Sequence, residues 1–463
     1  MKYKLALLDG KPVRIKEFRS KPYITEVSIE RVASLMREGR LTRFIGSPVS
    51  GSKEIIGLKS SEVNKINYEF SVLGGESVRK FENDWSNIHQ VDYSIAVNSA
   101  TSGLTAAILA LDIEPGDEVI CSPFSFTASA TSIIAANAVP VFADIDLETF
   151  CLSTNSASES ISQRTKAILP IHWNSNAGDL SSTLSLARSK GLKVVEDASQ
   201  SPGMVYDGKH LGTHGDVGVF SLNEPKNIMT GEGGMIVTNN KDIAVKSRLI
   251  RNHGESIIDK NSSNELLTNC IGYNFRMIEL LAEIGCEQLK NLDFLNNIRQ
   301  ENYKYLIKEI TSEFGEFIIP QKISHPESYF PYTVGFRWLK GKTNILRDTV
   351  ANVLRSEGIP VATGVSRLMS DNPMFQKKIA FGKKGFPFLY QNSDSHDLYK
   401  IAKMPNARRL QDEEYLGFFQ IGWPNTFEDM NDIIMGFKKI MANKKQLVGD
   451  NTLIKKNKFI TGR

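Results

Sequence analysis

The chain has 463 residues, enough for two domains or one large domain with an appendage, and its 41% hydrophobic and 23% charged content is ordinary for a globular protein. The formal net charge of +4 misleads, because residues 443–463 hold five Lys and one Arg against one Asp. The body is therefore close to neutral and offers no broad basic surface to nucleic acid. No apolar run reaches bilayer-spanning length, and the opening MKYKLALLDGKPVR lacks a signal-peptide core. Cys121, Cys151, Cys270 and Cys286 are far apart with no CxxC pair. Together these features predict a cytoplasmic protein with reduced thiols, no membrane or nucleic-acid partner and no metal site.

In chain order, residues 1–75 read as an N-terminal arm and long loop, in which 44–74 mix glycine, serine and charge with weak periodicity. From 76 to 300 short apolar runs alternate with helical stretches. EVICSPF, VPVFADI, KAILPIHW, LKVVED, VGVFSL and GGMIVTN predict strands, several apolar on consecutive positions, as in strands covered on both faces. SGLTAAILAL, SFTASATSIIAANA, DLSSTLSLARSKG and KDIAVKSRLIRN predict the helices between them. The alternation predicts a large, mainly parallel α/β sheet domain. RMIELLAEIGCEQLKNLDFLNNIRQENYKYLIKEI then predicts a long helical link. Residues 301–443 add a strand at YFPYTVGFRW and helices at NILRDTVANVLRSEGIP and MNDIIMGFKKIMA, a smaller α+β domain. Residues 444–463 read as a solvated basic tail.

Four separated pieces carry chemistry. VNSATSGLTAAILAL sets Thr101 and Ser102 at a strand-to-helix junction, where free N–H groups and hydroxyls make a phosphate seat. Taken alone, these residues are better explained as an ordinary N-cap. CSPFSFTAS places Phe126 just past a strand end, as a ring over a flat cofactor or as a core aromatic. VVEDASQ ends a strand on Glu196 and Asp197, a salt bridge or a site, since ligands of open α/β sheets sit at that strand end. Gln200 follows with a neutral hydrogen-bonding group. In FSLNEPKNIMTGEGG, Ser221 adds a hydroxyl, and Lys226 follows on a backbone shaped by Pro225 and the GEGG turn. One cofactor satisfies all four pieces, pyridoxal phosphate: its phosphate needs the cradle, its ring nitrogen an acid (Asp197) and its aldehyde an amine (Lys226). Lys226 would then serve as general base and acid as well.

NSATSGL, PGDEVI, PVFADID, RTKAILPIHW, VVEDASQSPG, GDVGVFSLNEPKNIMTGEGGMIVTN, RNHGE and GYNFRM, in this order over about 76–295, resemble the DegT-type (DegT/DnrJ/StrS) sugar aminotransferases. The resemblance implies an α/β, fold-type I aminotransferase, with a large mainly parallel seven-stranded sheet domain and a smaller C-terminal α+β domain. It implies Lys226 as Schiff-base lysine and Asp197 as partner of the pyridinium. It further implies Gln200 on the phenolic oxygen, Phe126 stacked on the ring, and Thr101, Ser102 and Ser221 around the phosphate. Asn274 of GYNFRM would reach the neighbouring subunit's cofactor, which implies a homodimer with shared sites. The expected reaction moves nitrogen from glutamate or glutamine, through pyridoxamine phosphate, to a keto sugar, nucleotide-activated, for surface polysaccharide or natural-product biosynthesis. His172, Glu232 and His253 lie in neighbouring motifs as candidate substrate contacts. The alternatives are a cyclitol (inosose-type) aminotransferase, to which LALLDGKPVR points, and a catalytically silent cofactor-binding regulator. Against the regulator stand the retained Lys226 and Asp197 and the lack of a helix-turn-helix candidate.

Overall fold

A computed structural model describes residues 3–19, 21–45, 55–63, 69, 71–254, 270–390 and 404–448. The tail beyond 448, much of the 44–74 excursion and residues 391–403 lie outside the described residues.

The large domain is built on one sheet. It opens with helix α1 (Glu26–Arg37), capped by the Thr25 hydroxyl, and helix α2 (Glu76–His89). There follow strand β1 (Tyr93–Val97), helix α3 (Ala100–Ala110), strand β2 (Glu118–Cys121), helix α4 (Ala128–Ala135), strand β3 (Val139–Phe142) and strand β4 (Thr165–Leu169). Helix α5 (Leu180–Lys190) starts on the Asp179 cap and stops at Gly191, whose φ of 66° suits a residue without a β-carbon. Strands β5 (Lys193–Asp197), β6 (Val217–Ser221) and β7 (Gly234–Thr238) complete the seven. Helix α6 (Lys241–Arg251) follows, capped by Asn240.

The strand order is β1-β7-β6-β5-β4-β2-β3. Only β7 runs against its neighbours, so the sheet is mainly parallel, as the alternating pattern predicts. Six strands come from the predicted runs. The seventh, YSIAV, is fully buried along its length and supplies one edge.

The predicted long link is two helices, α7 (Glu279–Lys290) and α8 (Leu292–Phe314), broken at Asn291, whose ψ of 8° leaves the helical region. Helix α7 lies close on α2: a β-carbon on Gly285 would sit 2.6 Å from the Phe81 ring. The small domain is a three-stranded antiparallel sheet of β8 (Ile318–Pro320), β9 (Val334–Trp338) and β10 (Tyr415–Phe418), with helices α9 (Arg347–Ser356) and α10 (Phe427–Ala442).

Packing crosses the expected boundaries at both ends. Leu5 is buried in the small-domain core, and the buried Glu357 accepts from the Ala6 N–H at 2.7 Å, the Val13 N–H at 3.0 Å and Lys439 Nζ at 2.6 Å. Conversely, Leu368, Phe375, Phe388 and Leu410 join the core of the large sheet. The described part of the excursion packs on α6, where Arg248 Nη1 donates to the carbonyls of Ile56 and Leu58, both at 2.7 Å. Among the described residues no helix is long and apolar enough to cross a membrane.

Behind the sheet, His89 stacks on Trp85 with ring centroids 4.6 Å apart and donates from Nδ1 to the Trp85 carbonyl at 3.1 Å. Its buried Nε2 has no partner among the described residues. Burial, with His210 beside it, pushes the imidazole pKa down to about 3. The unfolded chain therefore binds one more proton below about pH 6.5, and stability falls as pH drops from there toward 3, by up to about 1.4 kcal/mol per pH unit from this group. In urea titrations between pH 7 and 4, His89→Phe is expected to flatten this decline by about one proton relative to the wild type.

Candidate active site

Strands β1 to β6 all point the same way, so their C-terminal ends share one edge of the sheet, and β7 begins there. The register sets the neighbours. Val97 pairs with Gly234, and Gly234 pairs with Ser221. The start of α3 and the end of β6 are thus about two strand spacings, ~10 Å, apart. Gly234 is required there: a β-carbon would lie 2.7 Å from the Ala100 nitrogen.

At the helix start, the Ser99 hydroxyl caps the Ser102 N–H at 3.1 Å and meets the Ser102 hydroxyl at 2.9 Å. The cap is therefore Ser99, and the backbone N–H groups of Ala100 and Thr101 lie in the uncapped first turn of α3. Thr101 is exposed and Ser102 half-buried, while the buried Ser221 closes β6.

Glu196 and Asp197 divide the work of one dipeptide, because successive strand residues face opposite sides. Glu196 is fully buried and accepts from the N–H groups of Gly212 at 2.8 Å, His214 at 2.6 Å and Gly215 at 2.6 Å, and from His172 Nε2 at 2.9 Å. Burial works against its charge, but His172 and the N–H donors outweigh it and hold the carboxyl below its usual range. Asp197 accepts from the Ser129 hydroxyl at 2.7 Å and the Ser199 N–H at 3.2 Å.

Lys226 is half-buried in the loop after β6, with Nζ 4.4 Å from the centroid of the Tyr332 ring. Loss of water lowers its pKa to about 8, against the pull of Asp197. Gln200 accepts the Asn174 N–H at 2.6 Å on Oε1. Phe126 is 72% exposed, so it is not a core aromatic.

The three expected substrate contacts part company. His172 is buried, 1% exposed, and its Nε2 pairs with Glu196 at 2.9 Å. Glu232 is exposed and accepts from Asn223 at 2.8 Å, on the same loop as Lys226. His253 is exposed after α6, with φ 69°, and its N–H binds the Tyr273 carbonyl at 3.0 Å. Asn274, also exposed, accepts from Arg276 Nε at 2.8 Å and bridges Asn252, next to His253.

Sequence reasoning does not single out Ser129, Tyr332 or the turn at Asn174 and Ser175. Ser129 was legible in principle, three residues past Phe126 in the same strand-to-helix crossing. Asn174 and Ser175 both have left-handed backbones, φ 56° and 71°, which no periodic pattern signals. Tyr332 reaches the site from the small domain, a contact that strand pattern alone does not reveal.

The fold is that of a fold-type I aminotransferase. The chain belongs to the DegT/DnrJ/EryC1/StrS aminotransferase family, whose pattern matches residues 55–396. It is 30% identical over 453 residues to the L-glutamine:2-deoxy-scyllo-inosose aminotransferase of Streptomyces kanamyceticus, covering 96% of this chain and 98% of the relative. It is 35% identical over 238 residues to the GDP-perosamine synthase of Escherichia coli O157:H7, covering 51% of this chain and 64% of the relative. Among solved structures it resembles NtdA of Bacillus subtilis with bound cofactor PMP, with a TM-score of 0.68 and 23% identity over 92% of this chain and 86% of that one.

Glu196→Gln puts an NH2 group against a ring of N–H donors and is expected to destabilise the chain by about 2–4 kcal/mol in denaturant titration. A change below about 0.5 kcal/mol would show that Glu196 does not anchor the strand end.

Proposed function

We propose that the protein is a pyridoxal phosphate-dependent transaminase that passes nitrogen from glutamate or glutamine to the ring ketone of a nucleotide-activated sugar, working as a homodimer in the cytoplasm. The observation that carries this reading is the desolvated amine of Lys226 under the influence of the buried Asp197, at the sheet edge that also holds the uncapped start of α3.

The residues fit the cofactor. The first-turn N–H groups of Ala100 and Thr101, with the hydroxyls of Thr101, Ser102 and Ser221, would hold its phosphate. Asp197, fixed by Ser129, would keep the proton on its ring nitrogen. The NH2 of Gln200 would donate to its ring oxygen, and the exposed Phe126 would cover its face. When bound, pyridoxal phosphate supplies an electron sink and carries the amino group between donor and acceptor. Lys226 Nζ would hold it and would take and return a proton, for which an amine with a pKa near 8 is well matched to neutral pH. Glu232, with Asn223, borders the acceptor; His172 acts through Glu196 and not on substrate.

Asn274 serves the partner subunit's cofactor. Its exposure, beside Ile271 at 77% exposed, leaves an apolar and polar surface for a second copy to cover. His253, on the same side, would face that shared site.

A cyclitol ketone is the second reading, favoured by the end-to-end match to the inosose aminotransferase. Purified protein is expected to show a visible cofactor absorbance that L-glutamate or L-glutamine bleaches, and Lys226→Ala to lose turnover by at least about a thousandfold. Incubation with a nucleotide-linked keto hexose and with scyllo-inosose separates the readings by which ketone becomes an amine. Full turnover in Lys226→Ala would overturn both.

A further inference from the structure

The ring of Tyr332 faces the Lys226 amine, and Tyr332 lies just before β9 of the small sheet, not in the sheet that carries the rest of the site. We propose that Tyr332 is a positioning residue for Lys226, whose ring face holds the free amine in place and favours its protonated form. The inference rests on the reading of Lys226 as the residue that anchors the cofactor, and it concerns the intervals in which that amine is released.

The ring is well fixed. Its backbone N–H donates to the Ser175 hydroxyl at 3.0 Å, and Ser175 in turn donates to the Gln200 carbonyl. Its backbone carbonyl accepts from Arg299 Nη1 at 3.3 Å, and the same nitrogen binds the Pro331 carbonyl at 3.1 Å. Arg299 reaches this position across Gly422, where a β-carbon would lie 2.7 Å from the guanidinium carbon. Phe419 packs edge-on against the ring at 5.6 Å. Tyr332 is thus held at its N–H, its C=O and its ring, and the sheet-side link runs to Gln200 in the loop after β5.

The charges around the amine are few. Asp197 on β5 favours the ammonium, burial disfavours it, and Glu224 in the same loop is exposed to solvent. Arg299 beside Tyr332 lowers the phenol's pKa while burial raises it more, so the tyrosine stays neutral. A neutral ring with its face to an ammonium attracts the charge through the ring quadrupole, and the attraction grows as water is removed. Tyr332 therefore offsets part of the desolvation without adding a second carboxylate. A carboxylate there would raise the amine's proton affinity too far for it to exchange protons at neutral pH.

The test is made on the full chain stripped of cofactor, with the pH dependence of Lys226 acetylation read by peptide mass spectrometry. The wild-type midpoint is expected near pH 8. Tyr332→Leu is expected to shift it to a proton concentration about three- to tenfold higher, and Tyr332→Phe to leave it within about twofold. Tyr332→Met, which also lacks a ring, repeats the comparison if the leucine variant does not fold. Unchanged midpoints in both ringless variants overturn the proposal, and so does a phenylalanine variant that shifts as far as leucine. The two readings fail separately. If borohydride does not fix the cofactor to Lys226 in the wild type, the functional reading falls while the titration still reports on the ring. If it does and the midpoint is insensitive to the ring, only the present proposal falls.

Discussion

An amine taken out of water prefers to lose its proton, and the sheet edge at Lys226 is organised around that constraint. Full burial of an ammonium without a partner costs several kcal/mol, while a contact ion pair would restore so much proton affinity that the group would never deprotonate near pH 7. The chain takes a middle course. Asp197 acts through its field and is not in ion-pair contact with Lys226, and the aromatic face of Tyr332 replaces part of the lost hydration. Lys226 is left with a pKa of about 8. That compromise depends on Asp197 being rigid, which is why its donors, Ser129 and the Ser199 N–H, matter as much as the carboxylate itself.

The same strand end shows how the fold separates support from chemistry. Glu196 and Asp197 are neighbours in sequence, and pleating sends them to opposite sides. Glu196 gathers three N–H donors and His172 on its side, closing the loop that runs through Gly212 to Gly215. Asp197 lies on the other side with Ser129, and His172 belongs with Glu196.

Much of this was legible in the residues. Six of seven strands, the parallel order and the coincidence of Thr101, Asp197, Ser221 and Lys226 at one edge all follow from consecutive apolar runs separated by helical ones. YSIAV escaped because its polar Ser94 and flanking Tyr93 interrupt a run that is nonetheless buried throughout. β8 and β10 escaped because three or four residues are too short to show alternation. The contacts of Tyr332, Ser175 and Asn174 were not legible because they join distant segments through backbone groups and left-handed turns. Such contacts leave no periodic trace in a sequence.

Residues 365–390 leave the small domain, lay Phe375 edge-on against Phe142 of β3 at 5.3 Å, and bring the Met369 N–H to the Pro123 carbonyl at 2.9 Å. The chain returns where the N–H groups of Asn406 and Ala407 bind Asp144 at 2.9 and 2.8 Å, just past the end of β3. Strand β3 is an edge of the main sheet, and an uncovered edge invites pairing with other chains. The described parts of this stretch therefore pack over the outer strand and meet the loop that carries Phe126, so a change at Phe375 or Met369 bears on the edge of the sheet and on that loop together.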